Sequence, residues 1–312
     1  MTMGTTYTVK LAPKSSYKRE HVKRQISEIL NKVNQKMSTY MEDSDISVLN
    51  NLESDKIFVL DPWFNDVLRF SIDLARRTDG AYDPTVGPLV NLWGFGPAER
   101  KSLPSEKDIS QIKESVGYEK LMFVNFEGKP AVKKTKSKLY VDLSSSAKGY
   151  AVDKLSEFLM SEGLDDFLIE VGGEMKARGK KFKADWVVAI EKPDPGQRSV
   201  YRSFPLKNMS IATSGSYRNF FKSGDKTYSH TIDASTGRPI EHKMVSVTVL
   251  DESCMKADAH ATALMVLGPE RAKSFSEKEG LAVYFIYKKD TEIAEFNTYS
   301  SKAFKALNPM LN

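Results

Sequence analysis

Between Val141 and Asp153 the chain runs Val-Asp-Leu-Ser-Ser-Ser-Ala-Lys-Gly-Tyr-Ala-Val-Asp, passing from strand-like sequence through small residues into a helical pattern. Lys138 to Val141 has strand character, and Ala147 to Met160 sets Ala151, Leu155, Phe158 and Leu159 on one helical face. The small residues therefore sit at a helix start. Unpaired N–H groups there, the positive end of the helix dipole and the ammonium of Lys148 all favour an anion such as phosphate. An ordinary helix capped by serine fits the same residues.

A second segment, Met255 to Gly268, is rich in helix formers and closes on a glycine suited to a C-terminal cap. Asp258 and Thr262 are four apart, so a helix projects both from one face, where a carboxylate and a hydroxyl can reach one hard cation. Oxygen-only ligation suits magnesium better than zinc. The spacing equally serves residues that cap, pair or face solvent. His260 points to nearly the opposite side of that helix and reads as packed or exposed, not as a ligand.

With 312 residues the chain can bury a sizeable core. Its 46 basic and 41 acidic side chains leave a net charge of +5 with no long basic arm, which argues against a nucleic-acid partner. The basic patches Lys133 to Lys138 and Lys176 to Lys183 read as solvated hairpin or loop surfaces. Cys254 is the only cysteine, which excludes an intramolecular disulfide and a cysteine metal cluster. No apolar run approaches a membrane span, and the first residues lack the basic and apolar regions of a signal peptide, so the chain reads as soluble as presented.

Thr5 to Leu11 alternates as a strand, and Tyr17 to Met37 carries Val22, Ile26, Ile29, Leu30 and Val33 at helical intervals. The polar run Ser38 to Asp45, ahead of the short apolar Ile46 to Leu49, reads as a loop and a candidate site. A helix opens at Asp61-Pro62 and stops at Gly80. Gly80 to Pro97 reads as one long shaped loop, in which Tyr82, Trp93 and Phe95 either offer flat faces to a planar ring or pack to fix the loop. Ser105 to Val116 forms a further helix.

Strands are expected at Leu121 to Phe126, Lys138 to Val141, Phe167 to Val171, Trp186 to Ile190, Met209 to Thr213, Tyr228 to Ile232, Met244 to Leu250 and Leu281 to Tyr287. Helices punctuate them only at Ala147 to Met160, Met255 to Leu267 and Pro269 to Lys278. Hairpin-like and crossover connections alternate, which predicts an α+β, or mixed α/β, fold of mixed and mainly antiparallel sheets covered by helices. The absence of repeats and long linkers favours one unit over residues 1–312. Neither a P-loop, a dinucleotide fingerprint nor a nucleophile elbow is present.

Asp142 to Gly149, Glu170-Val171-Gly172-Gly173-Glu174, Thr213 to Tyr217, Tyr228 to Asp233 and Ala257 to Leu264 together resemble the ApbE family of FAD:protein FMN transferases. Gly80 to Asp83, Val86 to Gly96 and Thr236 to Ile240 resemble it too, in matching order, and the likeness runs from Met3 to Tyr284. The resemblance implies a T-fold-related architecture, as one domain or as two lobes with the FAD site between them. It also implies a magnesium-dependent enzyme that cleaves FAD, attaches FMN to a threonine of a target protein through a phosphoester, and releases AMP.

By the same resemblance the metal is held by Asp258, Thr262 and a backbone carbonyl at Ser145. FAD contacts carry over to Met3, Tyr40, Gly80, Ala81, Tyr82, Asp142, Lys148 and Ile232, several through backbone atoms. His230 is the candidate for taking the acceptor's proton, since histidine titrates in the range such work needs, with Asp258 placing the metal for catalysis. The family often has glycines where this chain has Ser144 and Ser145, and some members place an acidic residue where Ala261 stands. It is usually exported to the periplasm and lipid-anchored through an N-terminal cysteine that is absent here, so a trimmed precursor is expected. The implied acceptors are subunits of respiratory, ion-pumping or electron-transfer complexes. The competing readings are an FAD pyrophosphatase and a flavin-binding protein without turnover.

Overall fold

A computed structural model of the chain describes residues 2–13, 16–96, 103–194, 196–197, 199–217, 220–224, 226–289 and 295–308. Pro97, the expected end of the long loop, lies outside them. The elements begin with β1 (Tyr7–Leu11), α1 (Arg19–Met37), α2 (Asp45–Asn51), β2 (Ile57–Val59), α3 (Pro62–Arg77), α4 (Gly87–Leu92) and α5 (Glu106–Lys113). After a 3-10 turn at Tyr118–Lys120 come β3 (Leu121–Phe126), β4 (Lys129–Lys134), α6 (Ser144–Ser161), β5 (Phe167–Val171), β6 (Glu174–Arg178), β7 (Trp186–Glu191) and β8 (Val200–Leu206). The remainder are β9 (Ser210–Gly215), β10 (Phe220–Ser223), β11 (Lys226–Ser229), β12 (Ile232–Asp233), β13 (Arg238–Pro239), β14 (Met244–Asp251), α7 (Cys254–Lys278), β15 (Ala282–Lys288), β16 (Phe296–Ser300) and α8 (Lys302–Leu307). Among the described residues no helix is long and apolar enough to cross a membrane.

The chain divides into two units, one of residues 1–32, 146–218 and 242–312, the other of 33–145 and 219–241. In the first, described strands form a seven-stranded sheet in the order β1-β5-β6-β9-β14-β15-β16, with every neighbouring pair antiparallel. The inner strand β14 is buried from Met244 to Leu250, whereas the edge strand β1 alternates between half-buried and exposed. α7 packs on β14 and β9, and the small Ala257, Ala259, Ala261 and Ala263 in its first half let it approach closely. Trp186, Val188 and Phe204 of the β7–β8 hairpin share a further core with Tyr284, Ile286 and Phe304.

α7 breaks at Gly268, whose φ of 73° is the left-handed value that glycine adopts freely. Pro269 follows, without an N–H for the carbonyl of Met265. His242 Nε2 donates to that carbonyl instead, at 2.8 Å. The expected division into two helical segments at this point is thus present, bridged from outside the helix.

The second unit holds an antiparallel sheet ordered β2-β4-β3 and the small hairpins β10–β11 and β12–β13. α3 starts as the sequence predicts, with Asp61 accepting from the N–H of Trp63 and Pro62 in its first turn. Leu89, Trp93, Ile109, Val116 and Ile232 form its apolar cluster. The observed class is the expected mixed α and β one, with antiparallel pairing throughout the described strands.

Several elements differ from the sequence reading. The loop expected over Ser38 to Asp45 ends at Ser44, because Ser44 Oγ accepts from Ser47 N–H at 3.2 Å and starts α2 at Asp45. The long loop contains α4, a short helix with Pro88 in its first turn. Lys138 to Val141 is outside every described strand: Asn50 clamps Val141 by accepting from its N–H at 2.7 Å and donating to its carbonyl at 2.9 Å, standing in for a strand partner. Tyr228 to Ile232 is interrupted after Ser229, whose hydroxyl accepts from Thr231 N–H and bends the chain between β11 and β12.

Neither basic patch is simply solvated. Lys134 is 1% exposed and its ammonium donates to the carbonyls of Asn50, Ser137 and Leu139. Lys176 reaches the Asp153 carboxylate at 3.0 Å and the Glu252 carbonyl at 2.8 Å.

Candidate active site

In the first unit α6 and α7 cross at a glycine. A Cβ added to Gly149 would lie 2.3 Å from the carbonyl oxygen of Cys254 and 2.8 Å from Cα of Met255, so only a residue without a side chain allows this approach. Asp153, one turn further along α6, gathers the start of α7. Its two oxygens accept from Ser253 Oγ at 2.8 Å and from the N–H groups of Cys254 and Met255 at 2.9 and 3.0 Å. Those amides are among the unpaired donors of a helix start, and the carboxylate also meets the helix dipole favourably.

This crossing delivers Asp258 to Lys148. The Gly149 N–H donates to Asp258 Oδ2 at 3.1 Å, and Lys148 Nζ lies 3.5 Å from the same oxygen. Glu174 stands on the other side of the ammonium, with Oε1 3.6 Å from Nζ. Both acids are 5% exposed, while Lys148 keeps about a quarter of its side chain open, at 26%.

Burial opposes the charge of Lys148, but the carboxylates of Asp258 and Glu174 outweigh it and hold the ammonium above the ordinary lysine range. Burial likewise raises Glu174 against the pull of Lys148, and Asp258 adds to the rise. Asp258 is raised by burial despite its contacts with Lys148 and Gly149. One ammonium faces two buried carboxylates, and that imbalance favours either a proton or a further cation.

Thr262 is half-buried one turn beyond Asp258 on α7, and Met3 sits in a turn of the same unit closed by reciprocal backbone bonds between Thr2 and Thr5. His260 is packed, at 4% exposure.

The second unit holds the remaining predicted residues. Gly80 takes a φ of 75° after α3 and leads into Ala81 and Tyr82, both buried. Tyr82, 3% exposed, has its hydroxyl 2.9 Å from Ser145 Oγ and donates to Ser71 Oγ at 3.3 Å, so its ring packs rather than offering a flat face. Asp142 accepts from Ser144 N–H at 2.8 Å and so caps α6, which starts at Ser144 rather than at the expected Ala147. The small residues are thus the first helical turn, with Lys148 on the next.

Tyr40 is 86% exposed. Ile232 is buried beside Trp93, whose indole N–H donates to the Gly237 carbonyl at 2.8 Å. His230 is half-buried and lies edge-on to Phe95, ring centres 6.3 Å apart.

A family model described as the ApbE family matches residues 3–285. The chain belongs to the ApbE family. A Vibrio cholerae protein called FAD:protein FMN transferase is 41% identical over 306 residues, covering 97% of this chain and 90% of that one. An Escherichia coli K12 protein of the same name is 40% identical over 312 residues, covering 98% and 87%. The solved structure described as flavin transferase ApbE from Vibrio cholerae matches with a TM-score of 0.88 at 41% identity, covering 98% of this chain and 96% of its own. The apo flavinyl transferase ApbE of Pseudomonas stutzeri matches with a TM-score of 0.87 at 37% identity, covering 98% and 94%.

The residues around Asp258 suit a divalent cation of the hard, oxygen-preferring kind. Among the described residues no group of three His, Cys, Asp or Glu side chains converges as a closed cage. One or two carboxylates, completed by hydroxyl, carbonyl, water and phosphate oxygens, is the manner in which magnesium is usually held. A cation between Asp258 and Glu174 would offset the burial that opposes the charge of both carboxyls.

Sequence reasoning missed Gly149, Asp153 and Glu174 as members of this constellation. Gly172-Gly173 was a legible signal for a two-residue hairpin turn, and Glu174 is the first strand residue after it. Asp153 carried no comparable signal, because its partners lie about a hundred residues further along the chain.

Proposed function

We propose that this chain transfers FMN from FAD to a threonine hydroxyl of an acceptor protein and releases AMP. The reading is supported by the full-length relatives named FAD:protein FMN transferase. The observation in the chain itself that carries it is the meeting of the Lys148 ammonium and the Gly149 N–H at the Asp258 carboxylate, 3.5 and 3.1 Å away. Phosphoryl transfer is governed by positioning and charge stabilisation, and this spot offers both.

In this reading the threonine Oγ forms a bond to the FMN-side phosphorus while the P–O bond to the AMP side breaks, and the bridging oxygen leaves with AMP. His230 takes the hydroxyl proton. Lys148 and the first-turn amides of α6 hold the phosphate charge. Asp258 and Thr262 would hold a magnesium ion, with the Ser145 carbonyl assigned to it by the family resemblance. Such an ion supplies neutralisation of phosphate charge when bound. Asp142 and Lys148 serve the nucleotide, Tyr40 borders its ring, and Met3, Gly80, Ala81, Tyr82 and Ile232 contact it chiefly through backbone.

The acceptors in this proposal are subunits of respiratory, ion-pumping or electron-transfer complexes in the periplasm, with the enzyme itself lipid-anchored there. Family resemblance alone supports that part. The test is incubation with FAD, magnesium and a threonine-bearing acceptor, followed by mass spectrometry. FMN covalently on the acceptor with AMP released is the expected result; free FMN with AMP, or untouched FAD, overturns it.

A further inference from the structure

The turn Gly172-Gly173 joins β5 to β6 with Val171 paired to Glu174, and both glycines take positive φ, 62° and 104°. Such a turn favours residues that tolerate positive φ, glycine foremost. At Gly172 a second demand appears. A Cβ there would lie 3.0 Å from Cδ of Lys148 and 2.9 Å from Cγ2 of Thr5, so the aliphatic stem of Lys148 is laid directly against the turn.

Glu174 is the first residue after the turn. It is 5% exposed, its Oε1 lies 3.6 Å from Lys148 Nζ, and its Oε2 accepts no hydrogen bond from any other described residue. A carboxylate retained purely for stability would be expected to satisfy both oxygens in so dry a place. Its ion-pair partner is the Lys148 ammonium.

We propose that Glu174, set by the Gly172-Gly173 turn, is a positioning residue that aims the Lys148 ammonium at the phosphates of FAD. The inference rests on the proposed function. In that function Asp258 turns its charge toward a divalent cation, and Lys148 loses one of its two carboxylate partners. Glu174 then remains as the carboxylate that fixes where the ammonium points, while the turn fixes its stem. The motif Glu170 to Glu174 acquires a use beyond forming a hairpin: its first glycine makes room for the lysine and its second acid orients it.

The test is FAD binding with magnesium present and no acceptor, followed by flavin fluorescence, for the unaltered protein, Glu174→Gln, Lys148→Met and the double variant. Deleting a negative charge acting only through space would tighten binding of an anionic dinucleotide. Lost aim does the opposite: Glu174→Gln is expected to weaken binding by about threefold to tenfold, with no further loss when it is added to Lys148→Met. Glu174→Asp, which keeps the charge but shortens the reach, is expected to fall between and serves where Glu174→Gln does not fold. Unchanged or tighter binding by Glu174→Gln, or a loss that persists in the Lys148→Met background, overturns the inference. No FAD binding by the unaltered protein overturns instead the function on which it rests.

Discussion

The backbone N–H of Gly149 reaches Oδ2 of Asp258 at 3.1 Å, across a helix crossing that has no space for a Cβ. Gly149→Ala therefore has to part α6 from α7 or distort one of them. The expected cost is about 1–3 kcal/mol of stability, as for other overpacked sites. Urea unfolding measures that loss, and manganese binding followed by electron paramagnetic resonance should weaken alongside it. An alanine variant with unaltered stability would show the contact to be looser than described.

Asp258→Asn separates chemistry from folding. The carboxyl is buried and raised above its ordinary range, so its charge is held at a cost. Replacing it by a neutral isostere is expected to leave the melting midpoint unchanged or higher while magnesium-dependent FMN transfer drops by about 100-fold or more. Calorimetry and transfer assays on the same preparation decide it, and residual transfer near the unaltered rate would remove Asp258 from the metal site.

His230→Gln addresses the proton. General-base catalysis typically contributes about 10²–10⁴-fold, and a loss of that size in kcat is expected, together with loss of the acidic limb of the pH profile. A variant that keeps that limb assigns the proton to another group.

His242 predicts how stability responds to acid. Burial lowers its pKa below the ordinary histidine value, with the Met265 carbonyl opposing that shift. The unfolded chain therefore binds the proton more readily than the folded one, and stability is full above the unfolded histidine pKa and falls as pH drops through the folded value. Melting midpoints should decline on acidification below about pH 6.5, the ordinary histidine value. In His242→Gln that slope should flatten, while the amide N–H of glutamine keeps a donor in reach of Met265.

Asn50→Ala tests remote control of the segment proposed to meet the nucleotide. Asn50 holds Val141 by two hydrogen bonds, and Lys134 ties Asn50 and Leu139 through their carbonyls. Loss of the amide leaves buried backbone groups unpaired, at about 1–3 kcal/mol. FAD affinity should fall with stability although Asn50 meets the chain at Val141, one residue before Asp142. Hydrogen exchange at residues 139–143 reports the loosening directly.

What the sequence disclosed followed chain distance. Asp61-Pro62 starting α3, Gly268 breaking α7 and Lys148 on an amide-rich helix start depend on neighbours a few residues away, and local pattern sufficed. The strand expected at Lys138 to Val141 failed for the opposite reason. Its apolar character reflects burial against the unit, whereas its hydrogen bonds go to the Asn50 side chain, 91 residues upstream, which no periodicity reveals. Lys134 misled in the same way: a lysine in a basic run reads as solvated until three carbonyls enclose it. Glu174 was visible as part of a motif but not as a partner of Lys148, since only the fold brings the hairpin beside α6.

Asp153 is the common datum from which two helices are measured. Because one carboxylate sets the axial register of both, the separation of Lys148 and Asp258 depends on the short intervals 148–153 and 153 to 253–258 closing on that single point. Substitutions along the outward faces of either helix can accumulate without disturbing it, and drift in sequence is thereby uncoupled from drift in the spacing that chemistry requires.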